Sequence, residues 1–243
     1  MTELSGLRAV TFDCWGTLLY EPDPMRSFGP RVDAVVEAAA GAGQPIGAEA
    51  ARAALDAAWR RHVALWQEGQ ASGAPEIASW TLDALGLQTP ELAESLGHRL
   101  GHASLGSEVI ALDGARDALA RLAQAGIRRA LVCDTGFTPG HTIRELLDRQ
   151  GLLEHLEVCI FSDEAGVPKP HPSVFQAALE PLGARPEESA HVGDLRRTDV
   201  AGARGFGMRS IRIRWHHDDQ SDHAEADTVV DSHAHLLELM GLG

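Results

Sequence analysis

The chain has 243 residues, 44% of them hydrophobic, which is enough to bury a large domain or a domain carrying an insertion and excludes a wholly disordered chain. Its 35 acidic against 21 basic side chains give a formal charge of -14, which repels phosphate backbones and anionic lipid heads and argues against nucleic acid as a partner. No apolar run approaches the ~20 residues of a membrane span, and Met1-Thr2-Glu3 lacks the basic, then apolar, layout of a signal peptide, so the expectation is a cytoplasmic protein with no membrane partner.

In chain order, the mostly apolar segment Leu7 to Phe12 predicts a buried strand that ends at Asp13 and enters a loop at Gly16-Thr17. From about Asp23 to Leu105 the chain is Ala-rich. Apolar residues fall at helical spacing in Val32, Val35, Val36 and Ala39, and again in Leu55, Ala58, Trp59, His62, Leu65 and Trp66, with turn signals at Gly41-Ala42-Gly43, Gly69 to Pro75 and Thr89-Pro90. This block predicts a helical insertion. Beyond it, a helix is expected from an Asp113 cap to Ala125, closed by Gly126, and a second opens at Pro172 and ends at Leu182-Gly183. Strands are expected at Ile127 to Cys133, Val158 to Phe161, Ala190 to Val192 and Ser210 to Ile213. The alternation predicts an α/β fold, a doubly wound, Rossmann-like parallel sheet, with residues 1–22 and 106–243 forming the α/β core and 23–105 the helical insertion.

Four elements stand at or near predicted strand ends: Asp13-Cys14-Trp15-Gly16-Thr17, Cys133-Asp134-Thr135-Gly136, Lys169-Pro170, and Gly193-Asp194 followed by Asp199. In an open α/β sheet, ligands bind at the C-terminal strand ends. Carboxylates that converge there would repel one another, so a hard, oxygen-ligated cation such as Mg²⁺ is the natural partner, with a lysine balancing the remaining charge. A carboxylate, a metal, a lysine and a hydroxyl around one point suit a phosphoryl group, and Asp13 is placed to attack phosphorus. Phosphate contacts are expected from Cys14, Trp15, Thr17, Asp134, Thr135, Gly136 and Lys169, although Thr17 could simply satisfy its own loop.

The order of these four elements resembles the haloacid dehalogenase-like superfamily over residues 7 to about 230. The resemblance implies that Asp13 is the nucleophile and also a metal residue, that the Trp15 carbonyl and Asp194 are magnesium ligands, that Lys169 neutralises charge, that Asp199 supports metal and lysine, and that the helical insertion is a cap closing over substrate. A small, phosphorylated metabolite is the implied partner of a monomer or homodimer.

Two positions depart from the family pattern. Trp15 stands where family phosphatases carry a second aspartate that protonates the leaving group, and an aromatic residue there resembles the 2-haloacid dehalogenase branch. A dehalogenase, or a binding protein without turnover, is therefore carried as an alternative to the phosphatase. In the second motif either Cys133 or Thr135 occupies the hydroxyl position; Thr135 is chosen, with Asp134 offering its backbone N–H and pairing its carboxylate with Lys169 or Arg196 if it is not a loop cap.

Cys14, Cys133 and Cys159 lack disulfide or zinc-knuckle spacing and are expected as reduced, buried thiols at strand ends. His216, His217, His223, His233 and His235, with Asp218, Asp219 and Asp222, match no defensible metal pattern and are read as a solvated acidic loop and a closing helix. Trp59, Trp66 and Trp80 are read as helix packing or pocket lining, and Arg60 and Arg61 as a solvated face or an anion contact.

Overall fold

The computed structural model describes Leu4, residues 6–87 and residues 89–243, so the reading of Met1-Thr2-Glu3 lies outside the described residues. In chain order the elements are β1 (Ala9–Phe12), β2 (Leu19–Tyr20), α1 (Met25–Gly41), α2 (Ala48–Gln67), α3 (Ala74–Leu85), α4 (Pro90–His102), β3 (Ile110–Ala111), α5 (Ala115–Gln124), β4 (Arg128–Cys133) and α6 (Gly140–Arg149). They continue with β5 (Val158–Phe161), α7 (Ser162–Ala165), α8 (Pro172–Leu182), β6 (Ser189–Gly193), a π-type turn (Arg196–Val200), α9 (Ala201–Phe206), β7 (Arg209–Ile213), β8 (Thr228–Val230) and α10 (His233–Met240). Contacts divide the chain into two compact units. One holds the chain up to Tyr20, Ile110–Asp134 and Leu147–Gly243; the other holds Glu21–Val109 and Thr135–Leu146.

The first unit is α/β. Its sheet runs β5-β4-β1-β6-β7-β8 with every neighbouring pair parallel. Strands covered on both faces need near-continuous apolar sequence, and β1 and β6 are buried at every residue. The chain leaves β1, builds β4 and β5 on one side, then returns to build β6, β7 and β8 on the other. That reversal beside β1 is the topological switch point, where a crevice forms outside the strand ends. Val174, Phe175, Ala178 and Leu179 of α8 pack with Ala9, Ala130 and Val132, each buried side chain of this size contributing about 1.5–3 kcal/mol relative to exposure.

Several expectations need correction. The helix at Ala115 is capped by Gly114, not Asp113: Gly114 has φ 78, a backbone that favours glycine, and an added Cβ would lie 3.2 Å from the His233 Cβ. Asp113 instead offers its backbone carbonyl to His233 Nδ1 at 3.1 Å. Cys159 is half-buried because β5 is the sheet's edge, whereas Cys14 and Cys133 are buried. A sixth strand, β8, and the antiparallel ribbon of β2 with β3 were not expected.

The acidic loop after β7 is not merely solvated. Fully buried Arg212 donates to both oxygens of Glu225 (2.7 and 2.8 Å) and to Asp218 (2.8 Å), while buried Asp219 accepts from the Arg196 backbone N–H at 2.7 Å.

The second unit is helical. Val32, Val35, Leu55, Ile77, Leu82, Leu96 and Leu100 form its core together with Phe137 from the segment after β4. Thr89 accepts from the Leu92 N–H ahead of Pro90 at the start of α4, and Glu76 accepts from the Gly73 N–H at the start of α3. Arg31 is buried and ties the unit together, donating to the Leu100 carbonyl, Ser27 and Ser104, with its guanidinium 4.6 Å from the Phe137 ring centroid. Burial pushes its pKa down to about 10, against the opposing effect of Glu21. Among the described residues no helix is long and apolar enough to cross a membrane.

Candidate active site

Asp13, Asp134 and Asp194 each follow the C-terminal residue of one of three adjacent strands, β1, β4 and β6. The buried oxygens of Asp13, Asp194 and Asp199 can all lie within 4.8 Å of one another. Among the described residues this is the only gathered set of three or more such ligands, so the late histidines form no comparable group.

Lys169 is buried between two of these carboxylates, donating from Nζ to Asp13 Oδ1 at 2.5 Å and to Asp199 Oδ1 at 2.7 Å. Burial alone would push its pKa down, but Asp13, Asp199 and Asp134 hold it well above the usual range, so it is an ammonium. Asp134 also fixes the lysine's backbone, its Oδ1 accepting from the Lys169 N–H at 2.9 Å. Of the two expected partners, Lys169 meets Asp134 through its backbone N–H, with its ammonium acting only electrostatically, while Arg196 is engaged by Ser221, Glu225 and Asp219.

The electrostatics are lopsided. Burial, with Asp199 nearby and despite Lys169, pushes Asp13 up to about 7. Burial and repulsion from Asp13 and Asp199 push Asp194 up to about 8. Asp199, equally buried, is held well below the usual carboxylate range by Lys169 and His191. One carboxylate is thus fully compensated and two are not.

Backbone without side chains makes this approach possible. Gly16, at φ 78, lies under Asp194, where an added Cβ would come 2.8 Å from Oδ2. An added Cβ at Gly193 would overlap the Asp199 carboxylate. Trp15 is half-buried beside Gly16, and Cys14 is buried. Thr17 does not satisfy its loop: its Oγ1 is buried without a hydrogen-bond partner.

Thr135 is buried and Gly136 follows it, both in the helical unit. Trp59 is stacked on Phe137 (centroids 4.8 Å, planes 8° apart) and on His62, and both Trp59 and His62 crowd Gly136. Trp80 takes the Arg61 guanidinium over its ring at 4.4 Å, and Arg60 is exposed.

The sequence reading missed Thr11 and His191. They are register partners on β1 and β6, with Thr11 Oγ1 2.7 Å from His191 Nδ1 and His191 Nε2 3.1 Å from Asp199 Oδ1. The available signal was a polar residue inside a doubly buried strand, which must find a partner there.

A family model described as haloacid dehalogenase-like hydrolase matches residues 7–207. The chain belongs to the haloacid dehalogenase-like hydrolases. Within that family it is 27% identical to a phosphoglycolate phosphatase of Pectobacterium atrosepticum over 99% of this chain and 95% of that one. It is 33% identical to a glyceraldehyde 3-phosphate phosphatase of Pyrococcus furiosus over 52% of this chain and 53% of that one, so the match spans about half the relative's length. A Bacillus subtilis HAD hydrolase bound to magnesium shares the fold at TM-score 0.67 and 16% identity, covering 96% of this chain and 98% of that one. The sheet order is that of an α/β, Rossmann-like core, and the family is one of hydrolases.

Proposed function

We propose that the chain is a Mg²⁺-dependent phosphatase that hydrolyses a small phosphorylated metabolite through an aspartyl-phosphate on Asp13. The observation that supports this reading best is the uncompensated charge at the strand ends. Three carboxylates gather within 4.8 Å, and Lys169 hydrogen-bonds two of them, Asp13 and Asp199.

An all-oxygen, anionic donor set with two carboxylates pushed up to about 7 and 8 fits a hard divalent cation. Asp13, Asp194 and the Trp15 carbonyl would hold it, with Asp199 behind. Bound there, Mg²⁺ would supply the positive charge that lets an anionic nucleophile meet an anionic phosphoryl group.

The remaining work falls to the chain's own groups. Lys169 favours the ionised form of Asp13 against its burial and aims it by the bond to Oδ1, leaving Oδ2 to attack phosphorus while the bond to the leaving oxygen breaks. The acyl phosphate is then hydrolysed by water, which regenerates the carboxylate. Thr17 Oγ1 is a spare donor for a phosphoryl oxygen, and Thr135, with the Asp134 and Gly136 backbone, completes the phosphate contacts. Because Trp15 cannot protonate the leaving oxygen, substrates with stabilised leaving groups are favoured, the missing acid being worth about 10²- to 10⁴-fold on others. Recognition of the rest of the substrate is assigned to the helical insertion, as the family resemblance implies. The phosphatase names of the relatives that match are consistent with the substrate class.

The test is phosphate release from an activated aryl phosphate with Mg²⁺, with chelator, and by Asp13→Asn, run beside halide release from 2-haloacids. Mg²⁺-dependent phosphate release that is lost in Asp13→Asn is expected. Chelator-resistant halide release would instead establish the dehalogenase that the aromatic Trp15 keeps open.

A further inference from the structure

We infer that Thr11 and His191 are positioning residues that set the direction of Asp199 and, through it, of Lys169 toward Asp13; this role in turnover rests on the phosphatase reading. Asp199 Oδ1 faces two donors, Lys169 Nζ at 2.7 Å and His191 Nε2 at 3.1 Å, while its Oδ2 accepts from the Leu195 N–H at 2.9 Å. Each of these interactions fixes the carboxylate from a different element: β6 through His191, the loop after β6 through Leu195, and the lysine itself.

An ionised carboxylate only accepts hydrogen bonds, so the ring nitrogen facing it carries the proton. In a neutral imidazole the other nitrogen then accepts, and the group in reach of Nδ1 is the Thr11 hydroxyl at 2.7 Å. The hydroxyl's alternative acceptor, the Ala190 carbonyl, is longer at 3.4 Å. Phe175 meets the ring edge-on at 5.1 Å between centroids, so the imidazole has an apolar wall as well as two polar anchors. The chain of bonds runs Thr11 hydroxyl to His191 to Asp199 to Lys169 to Asp13, and neither Thr11 nor His191 touches the reacting atoms.

Two measurements test this. In the metal-free protein, the ring-nitrogen NMR shifts of ¹⁵N-labelled His191 report the tautomer without substrate or turnover. The Nε2–H form is expected in the wild type and is kept in Thr11→Val, where the Nδ1 shift should move to that of a bare nitrogen that accepts no hydrogen bond. An Nδ1–H tautomer or an imidazolium in the wild type would overturn the inference.

In steady-state kinetics with Mg²⁺, His191→Leu is expected to lower kcat about 10- to 100-fold, the usual scale for losing a ligand's outer partner, with KM little changed. His191→Gln, which restores an N–H near the Nε2 position, should recover most of it. Thr11→Val, nearly isosteric and β-branched like threonine, should lower kcat less, and the double variant Thr11→Val/His191→Leu should be no slower than His191→Leu. Losses that multiply, or a glutamine no better than leucine, would show that both residues only fill space. A wild type that carries the expected tautomer yet releases no phosphate would remove the phosphatase reading and leave the hydrogen-bond assignment standing.

Discussion

At Arg212 one guanidinium serves both oxygens of Glu225 and reaches Asp218, and Arg196 gives Glu225 another donor. At Asp13 one ammonium is divided between Asp13 and Asp199, while Asp194 feels chiefly burial and repulsion. Both clusters belong to the α/β unit and both are rich in acid, but only the second holds carboxylates that are pushed up. Arg212 holds Glu225 down to about 2, whereas Asp13 and Asp194 rise to about 7 and 8. A charged group whose partners are all supplied by the protein is a structural tie. One whose charge the fold leaves uncovered waits for a ligand.

The sharpest way to break that comparison is Asp13→Asn, for which turnover should fall at least about 10³-fold because the amide cannot attack phosphorus. Thermal unfolding of the metal-free variant should show no loss of stability, since a repelling charge is gone. Arg212→Leu should do the reverse. It removes three charge-assisted hydrogen bonds to Glu225 and Asp218 and should cost about 3 kcal/mol in denaturant unfolding, with kcat of the folded fraction unchanged. A large kcat loss there would erase the distinction.

Next in size is a pH effect. Asp194 binds its proton more tightly folded than unfolded, so its contribution to stability is complete below about pH 4 and is lost as pH rises through about 8. Buried, neutral His62, His191 and His233 pull the other way through the range where unfolded histidine titrates. The difference between Asp194→Asn and wild type cancels the histidines. In metal-free protein it should widen in favour of the variant by about 2–3 kcal/mol from pH 5 to pH 8, and saturating Mg²⁺ should reverse it by stabilising the wild type alone. A pH-independent difference would mean that the carboxylate is not under strain. Smallest of all, Asp218→Asn should leave the unfolding midpoint unchanged within error, because its half-exposed oxygens are screened by water.

Much of this was legible before any coordinates. Strand ends at Phe12 and Cys133, and that of β6 to within one residue, could be read because doubly buried strands are apolar runs cut off by Asp and Gly, and the helix from Pro172 to Gly183 carries its own start and stop signals. The two-residue strands β2 and β3 and the three-residue β8 are too short to show a period. Arg212 was invisible as a tie because its partners lie 6 and 13 residues further on, in a loop that reads as plain acid. That Thr135–Leu146 contacts the helices of the second unit is likewise a tertiary fact, carried by Phe137 and Gly136. His191 escaped for a different reason: a histidine between Ala190 and Val192 has no local pattern, and only the register with Thr11 and the reach of Asp199 give it a role.

The glycines beneath the carboxylates have a consequence for how such a chain can diversify. Gly16 and Gly193 leave no room for a methyl group against Asp194 and Asp199, and Gly202 is closed in the same way by the Phe175 ring. Single substitutions at these points are barred by volume before chemistry is considered, so mutational drift cannot explore new reactions by decorating that floor. The alanine-rich helices from Met25 to His102 carry many exposed positions without such contacts, including Gly41 at the end of α1 and Gly43, Gly47 and Gly69 in the connections. Inherited variation is therefore expected to accumulate in those helices, while the floor beneath the carboxylates stays as it is.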